Sequence, residues 1–293
     1  MNKNWPNFFI IGVRKGATTS LHEYLKQIDG IFMPEKDEPS FFFEEKYRPS
    51  GFKMAKTISE EEYLNYYKDV TTEKFIGDGS ASYYSDPKNP ELIKKIIPNA
   101  KIIFIIRNPI ERTFSDFLHT FMHIAVKRTF HEVLEEIKDS KEEYPLFIKD
   151  SFYFETIKRY QKTFGEENVK VLIFEEFVKN EKNTVNEVLE FLGIKADLEK
   201  INFEKHNITH VPKGEISKFI LGSPRIRNIA GKFIPESKKH KVTNSLLLKW
   251  GAEKPKMRED DRMTLYNIFK EDVKKVETLL GKKLTWFDKI SKK

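Results

Sequence analysis

The 293-residue chain contains no cysteine. That excludes a disulfide framework, a thiolate nucleophile and every cysteine-based metal centre. Long apolar runs are missing too, and no window approaches the roughly 18 apolar residues that a membrane span needs. The first apolar run, residues 8–13, stops at Arg14-Lys15; it is too short for a secretory h-region and carries no small-residue cleavage site. The expectation is a soluble, cytoplasmic protein. Internal repeats and low-complexity linkers are absent, and arginine is scarce, with ten of the 52 basic residues. What is present is core material: 39% hydrophobic and 13% aromatic residues exclude disorder and fibrous repeats as the main description.

The formal net charge of +7 is unevenly placed. Residues 205–258 hold thirteen Lys and Arg against three acids, +10 in all, so the remainder of the chain is −3. One segment is cationic, not the whole protein, and part of it is expected to serve only as solubilising surface.

Four short apolar runs bounded by polar turns read as buried parallel strands: residues 8–13, 74–77, 101–106 and 169–174. Helical patterns alternate with them. Ile110, Phe114, Phe117, Phe121 and Ile124 follow 3.6-residue periodicity, as do Phe154, Ile157, Tyr160 and Phe164. The alternation predicts an α/β domain of three layers, a central mostly parallel sheet flanked by helices. Residues 205–258 are predicted to be irregular or broken helix lying over it, and residues 259–280 a final amphipathic helix stopped by Gly281. A single domain over residues 1–293 accommodates all of this.

The first run leads into Gly12-Val13-Arg14-Lys15-Gly16-Ala17-Thr18-Thr19-Ser20 and then a helix. Unpaired N–H groups at a helix N-terminus, the positive end of its dipole and a nearby lysine suit a phosphate. The alternative is an ordinary cap by Thr18 or Thr19. A Walker A loop has four residues between its glycines and a Ser or Thr directly after its lysine. Here Lys15 precedes the second glycine, which disfavours a standard ATPase or GTPase. The third run ends in Arg107-Asn108-Pro109, with Ser115 on the next helix opposite its apolar stripe and His119 one turn on. A guanidinium fork at a strand end matches bidentate phosphate binding, or Arg107 is a structural partner of Glu111.

Together these motifs resemble the nucleotide-binding motifs of sulfotransferases that use 3′-phosphoadenosine 5′-phosphosulfate (PAPS), and in particular the heparan sulfate group, the N-sulfotransferase domain and the 3-O-sulfotransferases. The family's 5′-phosphosulfate loop, Gly-x-x-Lys-x-Gly-Thr, matches residues 12–18 with Ala17 at the second glycine. Its 3′-phosphate motif, Arg-(Asn/Asp)-Pro with a Ser eight residues after the Arg, matches Arg107 and Ser115. The resemblance extends from about residue 8 to Trp286. It implies a P-loop-like fold and no metal. Arg14, Lys15, Gly16, Ala17, Thr18, Thr19 and Ser20 would surround the 5′-phosphosulfate, with Lys15 also catalytic. Arg107 and Ser115 would hold the 3′-phosphate, and Lys213, in a late basic loop, would close over the nucleotide.

The segment Lys36-Asp37-Glu38-Pro39-Ser40-Phe41-Phe42 is similar to the family's Lys-Glu-Pro-His-Phe-Phe, whose glutamate is the general base, which points to Glu38. On its own residues Glu38 reads first as one carboxylate of a solvated turn with Glu35, Asp37, Glu44 and Glu45. Asp78, Ser80 and Tyr83 match the family's Gly-Glu-x-Ser-Pro-x-Tyr segment and, with His119, are placed by the resemblance beside the acceptor. A lysine that touches saccharide in the heparan enzymes is replaced here by Gly79. The expected activity is sulfuryl transfer from PAPS, leaving PAP, to a hydroxyl or amine of a glycan or small molecule. Two rival readings are a P-loop-type nucleotide or small-molecule kinase, and a non-enzymatic polyanion- or RNA-binding protein using residues 205–258. No nucleic-acid partner is expected of the enzyme.

Overall fold

A computed structural model describes residues 4–35, 38–42, 58–123, 129–137, 144–203, 256–288 and 290. The predicted cover segment and Lys213 lie outside these residues, apart from 256–258, as does Ile124. In chain order the elements are β1 (Phe8–Gly12), α1 (Thr18–Leu25), β2 (Ile31–Phe32), α2 (Glu60–Asn65), β3 (Phe75–Asp78), α3 (Asn89–Ile96), β4 (Lys101–Ile106) and α4 (Pro109–His123). They continue with α5 (Phe130–Ile137), α6 (Leu146–Lys149), α7 (Phe154–Phe164), β5 (Val169–Ile173), α8 (Phe174–Phe177), α9 (Glu181–Leu192) and α10 (Glu259–Leu280).

All strand pairings among the described residues are parallel, in the order β2-β3-β1-β4-β5. β1 lies in the middle, with Phe8 opposite Gly77 on one side and opposite Lys101 on the other. Connections leave β1 toward one edge and β4 toward the other. The crevice between the carboxyl ends of these two strands is therefore the topological switch point, where ligands of open α/β sheets bind.

Alternate residues of the central strands feed separate cores. Phe8 and Ile10 of β1 with Ile103 and Ile105 of β4 pack against Leu21 and Tyr24 of α1 and Val185 and Val188 of α9. Phe9, Ile11, Phe104 and Ile106 face the other way, against Ile93 of α3, Ile157 and Tyr160 of α7 and Phe269 of α10. Both faces of a parallel sheet are thus covered, which is why its strands read as continuous apolar runs. The predicted three-layer architecture is the observed one.

Details differ at the edges. β3 starts one residue later than expected, and β5 ends at Ile173 because Phe174 opens α8. The two-residue β2 is too short to leave a pattern. α2 is secured by a capping box, Ser59 accepting from the Glu62 amide while the Glu62 carboxylate accepts from the Ser59 amide.

Candidate functional site

The loop between β1 and α1 is tightly wound. Lys15 and Ala17 both have left-handed backbone, with φ of 67° and 66°, on either side of Gly16. Such conformations cost about 1–3 kcal/mol each for non-glycine residues and cluster at ligand clamps. The Gly16 amide donates to the Val13 carbonyl at 2.9 Å, closing the turn, and a Cβ on Gly16 would lie 2.7 Å from that same oxygen. Gly16 thus shapes the loop while its own amide is engaged.

The N-cap of α1 is Ala17, which makes no side-chain capping bond. Thr18 and Thr19 lie inside the helix, so the ordinary-cap reading is not what the structure shows. The first helical bond runs from the Leu21 amide to the Ala17 carbonyl at 3.1 Å. The amides of Thr18, Thr19 and Ser20 therefore precede the intrahelical ladder, at the positive end of the helix dipole.

Arg107 stands at the carboxyl end of β4. Its Nη1 donates to the Lys15 carbonyl at 2.7 Å, and its guanidinium lies over the Phe174 ring, 4.3 Å from the centroid. The Nε is buried and has no acceptor among the described residues. Glu111, the candidate structural partner, instead pairs with Arg262 at 2.7 Å. Among the described residues no carboxylate comes within ion-pair distance of Arg107. Burial pulls its pKa below the usual arginine value, with Glu175 and Glu111 opposing from further away.

The turn after Arg107 is braced from a distance. Glu175 accepts from the Asn108 amide at 3.0 Å and from the Trp286 indole at 2.8 Å. The Asn108 side chain donates to the Trp286 carbonyl at 3.1 Å and accepts from the Ile110 amide at 3.0 Å, opening α4. Ser115, two turns into α4, is buried, and His119 is half-buried further along.

Arg14, expected near the phosphosulfate, is committed to protein partners. One terminal nitrogen bridges Asp116 and Asp150, each at 3.1 Å. Asp116 also accepts from fully buried Arg112 at 3.3 Å. Arg112 in turn donates to Ser151 at 2.6 Å, to the Tyr84 hydroxyl at 3.2 Å and to the Phe147 carbonyl. The Tyr84 ring lies against Gly12, whose φ is +145° and where a Cβ would come within 2.3 Å of that ring. Burial alone would raise the Asp116 pKa, but Arg14 and then Arg112 outweigh it and hold the carboxyl below the usual aspartate range.

Glu38 is half-buried. Asp78, Ser80 and Tyr83, which the resemblance placed beside the acceptor, are all fully buried. Ser80 and Tyr83 accept from the segment that carries Glu38: the Ser40 amide donates to Ser80 Oγ at 2.9 Å, and the Phe41 amide to the Tyr83 hydroxyl at 3.0 Å. Phe42 is core, while Phe41 stacks on Tyr63 with centroids 4.6 Å apart.

The structure thus joins the first loop to Arg107 at the switch point. It adds residues that sequence reasoning missed: Asp116, Asp150, Arg112, Phe174 and Glu175. Their signal is long-range, as Arg14 lies 102 residues from Asp116 and 136 from Asp150. Among the described residues no group of three His, Asp or Glu side chains is arranged to hold a metal ion, and no helix is long and apolar enough to cross a membrane.

Comparison with known proteins adds an independent line. Residues 6–198 match the model of the sulfotransferase family. A heparan sulfate N-deacetylase/N-sulfotransferase 1 of Xenopus laevis is 27% identical over 200 residues, covering 65% of this chain and 22% of its own length. The Homo sapiens protein of the same name is 26% identical over 200 residues, with 65% and 22% covered. The chain thus spans about a fifth of the length of these curated relatives. The crystal structure of a sulfotransferase from Alicyclobacillus acidocaldarius superposes with a TM-score of 0.69 at 27% identity, covering 96% of this chain and 98% of that one.

Proposed function

The chain belongs to the sulfotransferase family, and from that premise we propose that it moves the sulfuryl group of PAPS to a hydroxyl or amine of a glycan or small-molecule acceptor. The observation that carries the choice of nucleotide is Arg107. A half-buried guanidinium whose Nε is buried without an acceptor, bonded to the backbone of the first loop and with no carboxylate in contact among the described residues, fits a second phosphate on the same ligand. Desolvating an arginine in this way is costly unless an anion completes it. The 3′-phosphate is the group that distinguishes PAPS from ATP.

In this reading the amides at the start of α1 hold the 5′-phosphate, and Arg107 with Ser115 holds the 3′-phosphate. PAPS supplies an activated sulfuryl group whose departure leaves negative charge on the bridging oxygen. Lys15 stabilises that charge. Glu38 takes the proton from the attacking acceptor group. Positioning and charge stabilisation supply most of the rate enhancement. Arg14 acts on the loop from behind, through Asp116 and Asp150. The names of the curated relatives, N-sulfotransferases of heparan sulfate, favour an amine-bearing glycan as acceptor.

Titration calorimetry with PAP, AMP and ATP-Mg²⁺ tests the donor. PAP should bind most tightly; preference for ATP-Mg²⁺ would support the kinase reading and overturn this one. Radiolabelled PAPS should then label either a polysaccharide bearing free glucosamine amines or 4-nitrophenol, and that acceptor panel decides between glycan and small molecule.

A further inference from the structure

Asp78 ends β3 with no exposed surface, and its carboxylate collects four donors. Oδ1 accepts from the Ser80 amide at 2.8 Å and the Ser80 hydroxyl at 2.5 Å. Oδ2 accepts from the Tyr63 hydroxyl at 2.6 Å and the Tyr83 hydroxyl at 3.0 Å. Among the described residues no cation pairs with it. Burial raises its pKa, and the hydrogen bonds from Ser80, Tyr63 and Tyr83 oppose that rise.

An ionised carboxylate only accepts, whereas a hydroxyl has one proton and can turn. Asp78 therefore fixes the direction of the Ser80 and Tyr83 hydroxyls, each of which gives its proton to the carboxylate. Their oxygens are left as acceptors for neighbouring groups, and three consecutive amides use them. The Ser40 amide donates to Ser80 Oγ at 2.9 Å, and the Phe41 and Phe42 amides donate to Tyr83 Oη at 3.0 and 3.3 Å. If a hydroxyl turned its proton toward these amides, donor would face donor and buried N–H groups would go unsatisfied.

The same backbone carries Glu38. Ser40 holds a left-handed φ of 58°, which a non-glycine residue keeps only where its surroundings over-determine it, and its hydroxyl donates back to the Glu38 carbonyl at 3.4 Å. Tyr83 is itself immobilised, its carbonyl accepting from Asn89 at 2.7 Å and Tyr160 at 3.2 Å. We infer that Asp78 is a positioning residue for Glu38, acting through the Ser80 and Tyr83 hydroxyls on the backbone of residues 40–42. The inference rests on the reading of Glu38 as the base.

The test compares wild type with Tyr83→Phe, Ser80→Ala, Asp78→Asn and Glu38→Gln by three readouts. These are hydrogen exchange of the amides of residues 40–42, calorimetric PAP affinity, and turnover of radiolabelled PAPS with the two probe acceptors named above. Tyr83→Phe should speed exchange at Phe41 and Phe42 by about tenfold or more while the first loop stays protected. It should lower kcat by roughly tenfold or more and change PAP affinity less than about twofold. Ser80→Ala should show the same pattern centred on Ser40, which keeps the test open even if Asp78→Asn does not fold. Unchanged exchange at residues 40–42, or faster exchange with undiminished turnover, overturns the inference. So does a uniform rise in exchange across the chain accompanied by loss of PAP binding, which marks a merely structural role. Wild type that fails to bind PAP strikes the donor assignment instead, and Glu38→Gln with full turnover strikes the base.

Discussion

Arg107 donates from Nη1 to the carbonyl oxygen of Lys15 at 2.7 Å, so the arginine assigned to one end of the nucleotide buttresses the lysine assigned to the other. The bond reaches the backbone of the loop across 92 residues of sequence. Arg107→Ala removes both the phosphate fork and this buttress. PAP affinity should fall by roughly 10- to 100-fold, the 1.5–3 kcal/mol typical of hydrogen bonds to charged groups, with a much smaller loss for AMP. Equal losses for both nucleotides by calorimetry would remove the 3′-phosphate assignment. Arg107→Lys should recover only part of the difference, because an ammonium offers no planar fork.

Lys15 can be tested without disturbing that bond, since Arg107 holds its main chain and not its side chain. Lys15→Met should leave thermal stability close to wild type and lower kcat by about 100-fold or more, the scale of losing one preorganised charge-stabilising group. Retained turnover would show that another group stabilises the leaving oxygen.

Ala17 occupies a left-handed conformation at φ 66°. Relief of that strain is worth about 1–2 kcal/mol, and the added freedom of a glycine in the unfolded chain takes back about 0.4–1 kcal/mol. Ala17→Gly should therefore be neutral to mildly stabilising in chemical denaturation, with PAP binding retained. Clear destabilisation would mean that the alanine methyl has a packing role.

Asp116 and Asp150 share one guanidinium nitrogen yet should respond to pH with opposite sign. Asp116 has a depressed pKa: burial pushes it up, but Arg14 and Arg112 prevail. Its contribution is present above the unfolded value near 3.9 and is lost as pH falls through the folded value. Asp150 is raised by burial, which Arg14 and Arg112 do not overcome. Its contribution is present below the unfolded value and lost as pH rises through the folded one. Asp116→Asn should cost on the order of 3–5 kcal/mol at pH 7 and less at pH 3, whereas the cost of Asp150→Asn should be larger at pH 3. Denaturant unfolding at both values measures this, and parallel trends would contradict it.

Much of the architecture is legible in the chain because burial on both faces writes itself as unbroken apolar runs. Residues 101–106 are the observed β4, and the helix with Ile110 and Phe114 follows at once. Ile31–Phe32 leaves no such trace, and the signal for α2 lay in a capping box, Ser59 to Glu62, instead of in apolar periodicity. The candidate phosphate loop and Arg107 stand out in the chain because the spacing within each motif is local. The partners that fix them do not. Nothing near Arg14 in the chain announces Asp150, and Asp78 reads alike whether it lines a pocket or is fully buried. Those roles depend on contacts that only the folded chain creates.

The bracing of Asn108 by Trp286 bears on the order in which the site is assembled. The bond between them spans 178 residues of sequence, and contacts that distant are entropically late. On a ribosome, where synthesis runs from the N-terminus at about 5–20 residues per second, the first loop, β4 and Arg107 emerge well before the turn containing Trp286. The emerging chain therefore has the first loop and Arg107 before it has the brace behind Asn108, and the turn after Arg107 reaches its final form only once Trp286 has followed.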